Sequence, residues 1–247
     1  MAKELLVVDK LTKRFGGLIA NDQIDLKLHD GEILGLIGPN GAGKTTLFNC
    51  IAGYYPNEEG AVFFQGKNIT NVSPEEVCKI GIARTFQLVK VFNGMTALEN
   101  VMTAAFLHTA RAAKAREKAQ EILEFVGLAD KVNSLTATLT LPDKKRLEFA
   151  RALASDPKII MLDEAMAGLT TGEVKEAVEL ISQVRRRGIS FIVVEHIMEV
   201  IMPISDRVIV LDHGAKIAED TPEGVAKDSR VIEAYLGKKY VAKRREN

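Results

Sequence analysis

Short β-rich apolar runs alternate along this chain with longer stretches of helical periodicity. EILGLIG (32–38), GIARTF (81–86), KIIMLDE (158–164), ISFIVVE (189–195) and RVIVL (207–211) predict strands. Several are apolar on both faces, as buried parallel strands must be. Residues 44–52, residues 173–187 and a long run from about Leu98 to Val126 predict helices. Strands alternating with helices predict βαβ units and a mostly parallel sheet. Two features depart from that plan. The N-terminal segment to about Lys27 and AVFFQGK around Phe63 read as antiparallel strands. The stretch between Phe86 and Lys158 is almost all helical, which predicts a helical lobe inserted into an α/β core. Asp212-His213-Gly214, between RVIVL and AKIAE, is a hairpin turn signal.

The 247 residues suit one large domain, or one domain with a lobe. At 47% apolar and 27% charged, the chain is neither disordered, collagen-like nor a simple coiled coil. The 33 Lys+Arg balance 33 Asp+Glu, which argues against holding nucleic acid by bulk charge. Neutrality is uneven, because the last ten residues, KKYVAKRREN, hold five basic residues and one Glu. The rest is therefore about four charges negative, and the tail reads as a solvated terminus. Two cysteines exclude a disulfide scaffold and suit a reducing compartment. Cys50 and Cys78 read as packing thiols, since neither adjoins a base or a metal-like cluster. No stretch approaches the roughly 18 unbroken apolar residues of a membrane span. MAKELLVVDK lacks the apolar core of a secretion signal. The expectation is a cytosolic, soluble α/β protein.

Candidate chemistry begins at GPNGAGKTT, which fits GxxxxGK[ST] between a predicted strand and a predicted helix. Glycines let the backbone curl so that successive N–H groups face one anion, and the helix start adds its dipole. Gly38, Asn40, Gly41, Ala42, Gly43, Lys44, Thr45 and Thr46 are the candidate nucleotide-binding residues. Lys44 supplies a point charge to the β- and γ-phosphates, and the Thr45 hydroxyl is a Mg²⁺ ligand candidate. KIIMLDE carries an apolar strand to a carboxylate pair at the sheet edge where ligands of parallel sheets bind. Asp163 is placed for the Mg²⁺ shell and Glu164 for taking a proton from attacking water. These two motifs indicate an NTPase or phosphotransferase and no more. Gln87 follows GIARTF at a strand end, within reach of Mg²⁺ or the attacking water. His196 follows ISFIVVE at another, a second approach to the γ-phosphate. Phe15 suits stacking on an adenine and suits a core position equally well.

With GPNGAGKTT, RTFQ, LDEAMAGL and VEH in this order and spacing, the sequence resembles the ATP-binding subunit of an ATP-binding-cassette (ABC) transporter. The resemblance runs from about Leu5 to Leu236. FGGLIANDQIDL and VEHIMEVIMPISDRVIVLDHGAKIAEDTPEGV look closest to subunits of branched-chain amino-acid importers. It implies a P-loop NTPase (RecA-like) core with a mostly parallel sheet, an antiparallel β subdomain and an inserted helical subdomain. Residues 1–87 and 153–237 would form the core with the β subdomain, 88–152 the helical subdomain, and 238–247 a basic tail. It further implies ATP with Mg²⁺ as cofactors, and two cassettes meeting head to tail around two ATP molecules. Two membrane permease subunits and an external solute-binding protein complete the implied importer, with no nucleic acid. The cassette would sit on the inner face of the membrane. Phe15 becomes the adenine-stacking aromatic, and Gln87 the residue linking ATP to the membrane subunits. Glu164 becomes the general base and His196 the switch histidine. Thr45, Gln87 and Asp163 become the Mg²⁺ set. Residues 88–100, with Leu88, Val89, Val91, Phe92 and Met95, would form the groove for a permease helix, although a helical-lobe core explains their apolar content nearly as well.

The chain departs from the family pattern in four places. The signature LSGGQ, which sits on the partner's γ-phosphate, falls here on Leu139, Thr140, Leu141, Pro142 and Asp143. Thr140 keeps a hydroxyl, but Pro142 has no N–H to donate. Asp143 either sets a carboxylate against a polyanion, at a repulsion of about 4 kcal/mol for a dielectric of about 20, or turns away to serve the helix start. Ala165 stands where Pro is usual, Thr170 where Asp or Asn is usual, and Ile197 where Asp is frequent. A ribosome- or nucleic-acid-directed cassette is disfavoured by a single neutral cassette. A small-molecule kinase gives no reason for Gln87 and His196 together.

Overall fold

The computed structural model describes residues 3–236. The basic tail at 238–247 lies outside them. Two long strands, β1 (Glu4–Phe15) and β2 (Leu18–His29), open the chain as an antiparallel pair. They are followed by β3 (Ile33–Ile37), α1 (Lys44–Ile51), β4 (Glu59–Phe64), β5 (Lys67–Asn68), α2 (Pro74–Lys79) and β6 (Ile82–Arg84). Next come three helices, α3 (Ala97–Ala105), α4 (Ala112–Phe125) and α5 (Leu141–Ala154). The chain then alternates through β7 (Ile159–Asp163), α6 (Thr171–Arg186), β8 (Ser190–Val194), α7 (Met198–Ile204) and β9 (Arg207–Asp212). It closes with β10 (Ala215–Asp220), α8 (Pro222–Lys227) and α9 (Ser229–Leu236).

The six-stranded sheet runs β10-β9-β3-β8-β7-β6. All its neighbours are parallel except the edge pair β9–β10. A second, antiparallel sheet runs β2-β1-β4-β5. Why the central strands are apolar at every position is visible in the packing. Ile33, Ile160, Leu162, Phe191, Val193, Val208 and Val210 face the helices that pack on one side. Their alternates Leu34, Leu36, Ile159, Met161, Ile192, Val194 and Ile209 face α1 and the small sheet on the other. A strand has period two, so burial on both faces leaves no position for a polar residue. His213 and Gly214 both take positive φ between β9 and β10, the backbone a two-residue hairpin turn requires.

The long helical run expected from Leu98 to Val126 is instead two helices, with a break at about 106–111. Thr109 accepts a hydrogen bond from the Arg111 backbone N–H, a local side-chain bond that competes with helix continuation. His108 meets the Ser155 carbonyl at 2.9 Å, so the turn is anchored to the end of α5. Pattern alone misses such a break because the apolar period resumes in phase beyond it. Among the described residues no helix is long and apolar enough to cross a membrane. Burial pushes the Cys50 thiol up to about 12 and raises that of Cys78, as inert packing thiols should behave.

Candidate functional site

The loop that leaves β3 is shaped for glycine. Gly38 has φ 154° and Gly43 φ 101°. A Cβ on Gly38 would lie 2.2 Å from the Leu211 carbonyl oxygen, and one on Gly43 2.3 Å from that of Ala20. No side chain fits either place, so the path from strand to helix is closed to other residues. Gly43 precedes α1 without any side-chain cap, and the first turn holds no acidic residue. The first N–H groups of α1 are thus left for an anion. Lys44 is buried, and its ammonium donates to the carbonyls of Gly38 at 2.7 Å and Pro39 at 3.0 Å. Burial lowers its pKa, against the opposing pull of Glu164 and Asp163. Thr45 is exposed in the same turn and Thr46 half-buried.

Three neighbouring strands deliver the remaining candidates. β6, β7 and β8 lie side by side, so their C-terminal ends open at one edge although the residues they carry are far apart in sequence. Glu164 follows β7 with φ 49°, a left-handed backbone uncommon outside glycine, and its N–H bonds to the Val194 carbonyl at 2.9 Å. Gln87, beyond β6, donates its amide to Glu164 Oε2 at 2.8 Å. His196 Nδ1, beyond β8, stands 4.0 Å from the same oxygen. Asp163 ends β7 at 1% exposure, and burial raises its pKa, with Arg84 opposing. Beside it Glu195 is also buried, accepts the Met166 N–H at 2.9 Å, and is raised by burial. Lys44, Gln87, Asp163, Glu164 and His196 thus gather at one sheet edge.

Phe15 is 45% exposed at the end of β1, edge-on to Tyr55 with ring centroids 5.4 Å apart. Its alternative as a core residue is therefore removed. A cavity of about 590 Å³ opens between α5 and α6, lined by Phe149, Leu162, Met166 and Leu180 among others. None of the phosphate-loop residues lines it. Within the loop Asn40, Gly41 and Thr45 are exposed, while Gly38, Ala42 and Lys44 are buried.

The segment at 139–143 starts α5. Thr140 is its N-cap, Leu141 and Pro142 are the first two helical residues, and Asp143 is the third. Leu139 is buried and Leu141 exposed. The Thr140 hydroxyl donates to Asp143 Oδ2 at 2.7 Å and accepts from the Asp143 N–H. Lys131 donates to both Asp143 oxygens at 2.8 Å. Of the two arrangements open to Asp143, the helix-start one is adopted, with its charge paired. Desolvation alone would raise its pKa, but the bonds from Lys131 and Thr140 outweigh that and hold it low. A carboxylate held low stabilises the fold above its unfolded pKa and loses that contribution as pH falls through the folded value. Asp143→Asn is therefore expected to cost about 1 kcal/mol at pH 7. Its deficit against wild type should begin to narrow below about pH 4, the unfolded value, and go on narrowing towards the lower folded one. Thermal midpoints across that range check this, and a gap undiminished at about pH 3 contradicts it.

Sequence reasoning missed four participants. Arg84 donates to Asp163, Asn49 accepts from Arg84, Lys145 donates to the Ala165 carbonyl at 2.8 Å, and Lys131 pairs with Asp143. A charged residue inside the short apolar run GIARTF was the available signal for Arg84. Nothing in the sequence marks Lys131, which ends a short 3₁₀ turn (Ala129–Lys131) twelve residues before Asp143.

A family model described as "ABC transporter" matches residues 21–167. The chain belongs to the ABC transporter ATP-binding family. A second model, for the branched-chain amino acid ATP-binding cassette transporter, matches residues 215–241. The chain is 38% identical over 253 residues to the high-affinity branched-chain amino acid transport ATP-binding protein LivG of Escherichia coli (strain K12), covering 96% of this chain and 99% of that one. A crystal structure of a nucleotide-free ATP-binding cassette from an ABC transporter superposes with a TM-score of 0.87 at 31% identity, over 95% of this chain and 100% of the other. A dimeric cassette in a post-hydrolysis state with ADP and Pi matches at a TM-score of 0.80 and 26% identity, over 88% of this chain and 99% of that one. The cassette is accordingly an ATP-binding ATPase of α/β architecture, with a mostly parallel sheet and an antiparallel β subdomain.

Proposed function

We propose that this ATPase powers import of branched-chain or related amino acids through partner membrane subunits, by ATP-driven closing and opening of a cassette pair. The observation that carries the catalytic half is the meeting of Gln87 and His196 at one oxygen of Glu164, beside Asp163 and Lys44. In this reading Glu164 takes the proton of the attacking water, while Gln87 and His196 orient it and respond to the γ-phosphate. Residues 38–46 cradle the phosphates, Lys44 neutralises them, and exposed Phe15 supports the adenine. The names of the amino-acid transport relatives support the solute class. Purified protein with ATP should release free phosphate and phosphorylate no acceptor. A phosphorylated acceptor would make it a kinase instead.

The same reading assigns Mg²⁺ to Thr45, Asp163 and Gln87. The residues fit: Asp163 keeps one buried carboxylate oxygen with no partner among the described residues. Mg²⁺ is commonly held by one or two carboxylates together with substrate phosphates. When bound, the ion neutralises charge on the β- and γ-phosphates. Residues 1–87 and 153–237 act as the core and 88–152 as the helical lobe, the second boundary falling in the last turn of α5. Leu88 at 80% exposure, with Phe92 and Met95 also exposed, supports a permease-docking surface and a place on the inner membrane face. Two permeases, an external binding protein and a second cassette complete the assembly.

The site is asymmetric in what it offers. The chain's own phosphate loop and carboxylates are complete, but the signature segment it presents to a partner is weak. Pro142 lacks an N–H, and Thr140 donates its hydroxyl proton to Asp143 rather than outward. A homodimer should therefore turn over slowly. Pro142→Gly with Asp143→Gln is expected to raise the turnover of the purified chain, the Thr140 side chain still capping the backbone N–H of residue 143. Equal rates at equal ATP occupancy would sink the asymmetry.

A further inference from the structure

The two carboxylate oxygens of Asp163 have different fates. Oδ2 accepts from Arg84 Nη2 at 3.2 Å. Oδ1 is buried and has no hydrogen-bond partner among the described residues. With Asp163 almost wholly out of solvent, that bare oxygen is costly to maintain unless a ligand uses it. Arg84 is itself fixed on several sides. Its Nη1 donates to Asn49 Oδ1 at 2.7 Å, and its Nε to the Thr85 carbonyl at 3.3 Å. Its guanidinium carbon lies 5.4 Å from the Tyr54 ring centroid and 4.6 Å from that of Phe86. A buried guanidinium stays charged, so it must be paired where it lies. Here the pairing also fixes which oxygen of Asp163 is occupied and which is left bare.

We propose that Arg84 is the positioning residue for the metal-holding carboxylate: it pins Asp163 through Oδ2 and so reserves Oδ1 for Mg²⁺. The same guanidinium joins three parts of the site. Asn49 belongs to α1, which begins with Lys44 and Thr45. Asp163 ends β7. Phe86 immediately precedes Gln87. Arg84 therefore holds the carboxylate in register with the phosphate-loop helix and with the start of the Gln87 segment. This role rests on the assignment of Mg²⁺ made above.

The test uses Mn²⁺ as a paramagnetic probe, titrated into the ATP complex of the full-length chain carrying Glu164→Gln, so that nucleotide is not consumed. Against that parent, Arg84→Met is expected to weaken Mn²⁺ binding about 10–100-fold, the range for partners that orient metal ligands. Arg84→Lys should recover part of the loss, since it keeps the charge but not the fork. ATP affinity measured in EDTA should stay near the parent's, which distinguishes orientation of a metal ligand from general damage. Asn49→Ala, which retains Arg84 but loosens it, should weaken Mn²⁺ by roughly three- to tenfold, about one hydrogen bond. That variant keeps the test decisive if Arg84→Met does not fold. Unchanged Mn²⁺ affinity in these variants, or equal losses with and without metal, would overturn the role of Arg84. A parent complex that bound no Mn²⁺ would overturn the metal assignment and the proposal with it.

Discussion

Glu164→Gln stops turnover and leaves ATP bound. A positioned general base contributes about 10²–10⁴-fold, so phosphate release should fall by at least about 100-fold. Nucleotide should be retained because the substitution removes the proton acceptor and one negative charge from beside the phosphates. The phosphate loop, Lys44 and the carboxylate of Asp163 are untouched. Gln also tolerates the local geometry. The left-handed backbone at residue 164 treats Glu and Gln alike, and a Gln carbonyl can still accept from the Gln87 amide, now at 2.8 Å from the Glu164 carboxylate. Quantifying phosphate release and bound nucleotide on the same sample checks both halves. Undiminished hydrolysis removes Glu164 from the base role, and loss of ATP together with turnover reassigns it to binding.

Lys44→Ala loses ATP affinity outright. The ammonium is buried and already desolvated, held by the carbonyls of Gly38 and Pro39. An incoming polyphosphate therefore meets a cation whose hydration has been removed in advance, which strengthens the interaction. A lost charge-assisted hydrogen bond costs about 1.5–3 kcal/mol, and more than one phosphate oxygen is involved. A fall in affinity of at least about 100-fold follows, at 1.4 kcal/mol per tenfold. Alanine is a strong helix former, so α1 should persist and the effect should appear in binding rather than folding. Equilibrium titration with a fluorescent ATP analogue, alongside a thermal melt, checks this. Affinity within about threefold of wild type contradicts the assignment.

Much of this was legible because particular signals are local. The two-faced burial of β3, β7, β8 and β9 is written directly in ILGLI, IIMLD, SFIVV and RVIVLD, where no polar residue interrupts the strand interior. The phosphate loop is legible because GPNGAGKTT is one contiguous run, although the contacts that demand its glycines come from Leu211 and Ala20, far away in sequence. What the sequence hid depends on strand order. Gln87, Glu164 and His196 meet because β6, β7 and β8 are neighbours, and only a shared position at strand ends hinted at it. The Arg84–Asp163 and Lys131–Asp143 pairs join residues 79 and 12 positions apart. A long side chain reaches such a partner through space, which leaves no period in the sequence. The helix break near Thr109 was hidden differently: the buried positions Val101 and Ala105 before it and Ala115 and Ala119 after it keep helical spacing, and the break itself is marked only by a local bond from the Arg111 N–H to Thr109.

In the function proposed above, this chain is one half of an ATPase that reaches the membrane through partners. Native mass spectrometry of the intact complex, purified through this chain from solubilised membranes in the presence of ATP, tests it most directly. The expected mass is that of two cassettes with two membrane subunits, and the weak segment at 139–143 predicts that the second cassette is a different chain. Recovery of the cassette alone, or bound to RNA or to soluble proteins only, would contradict the account.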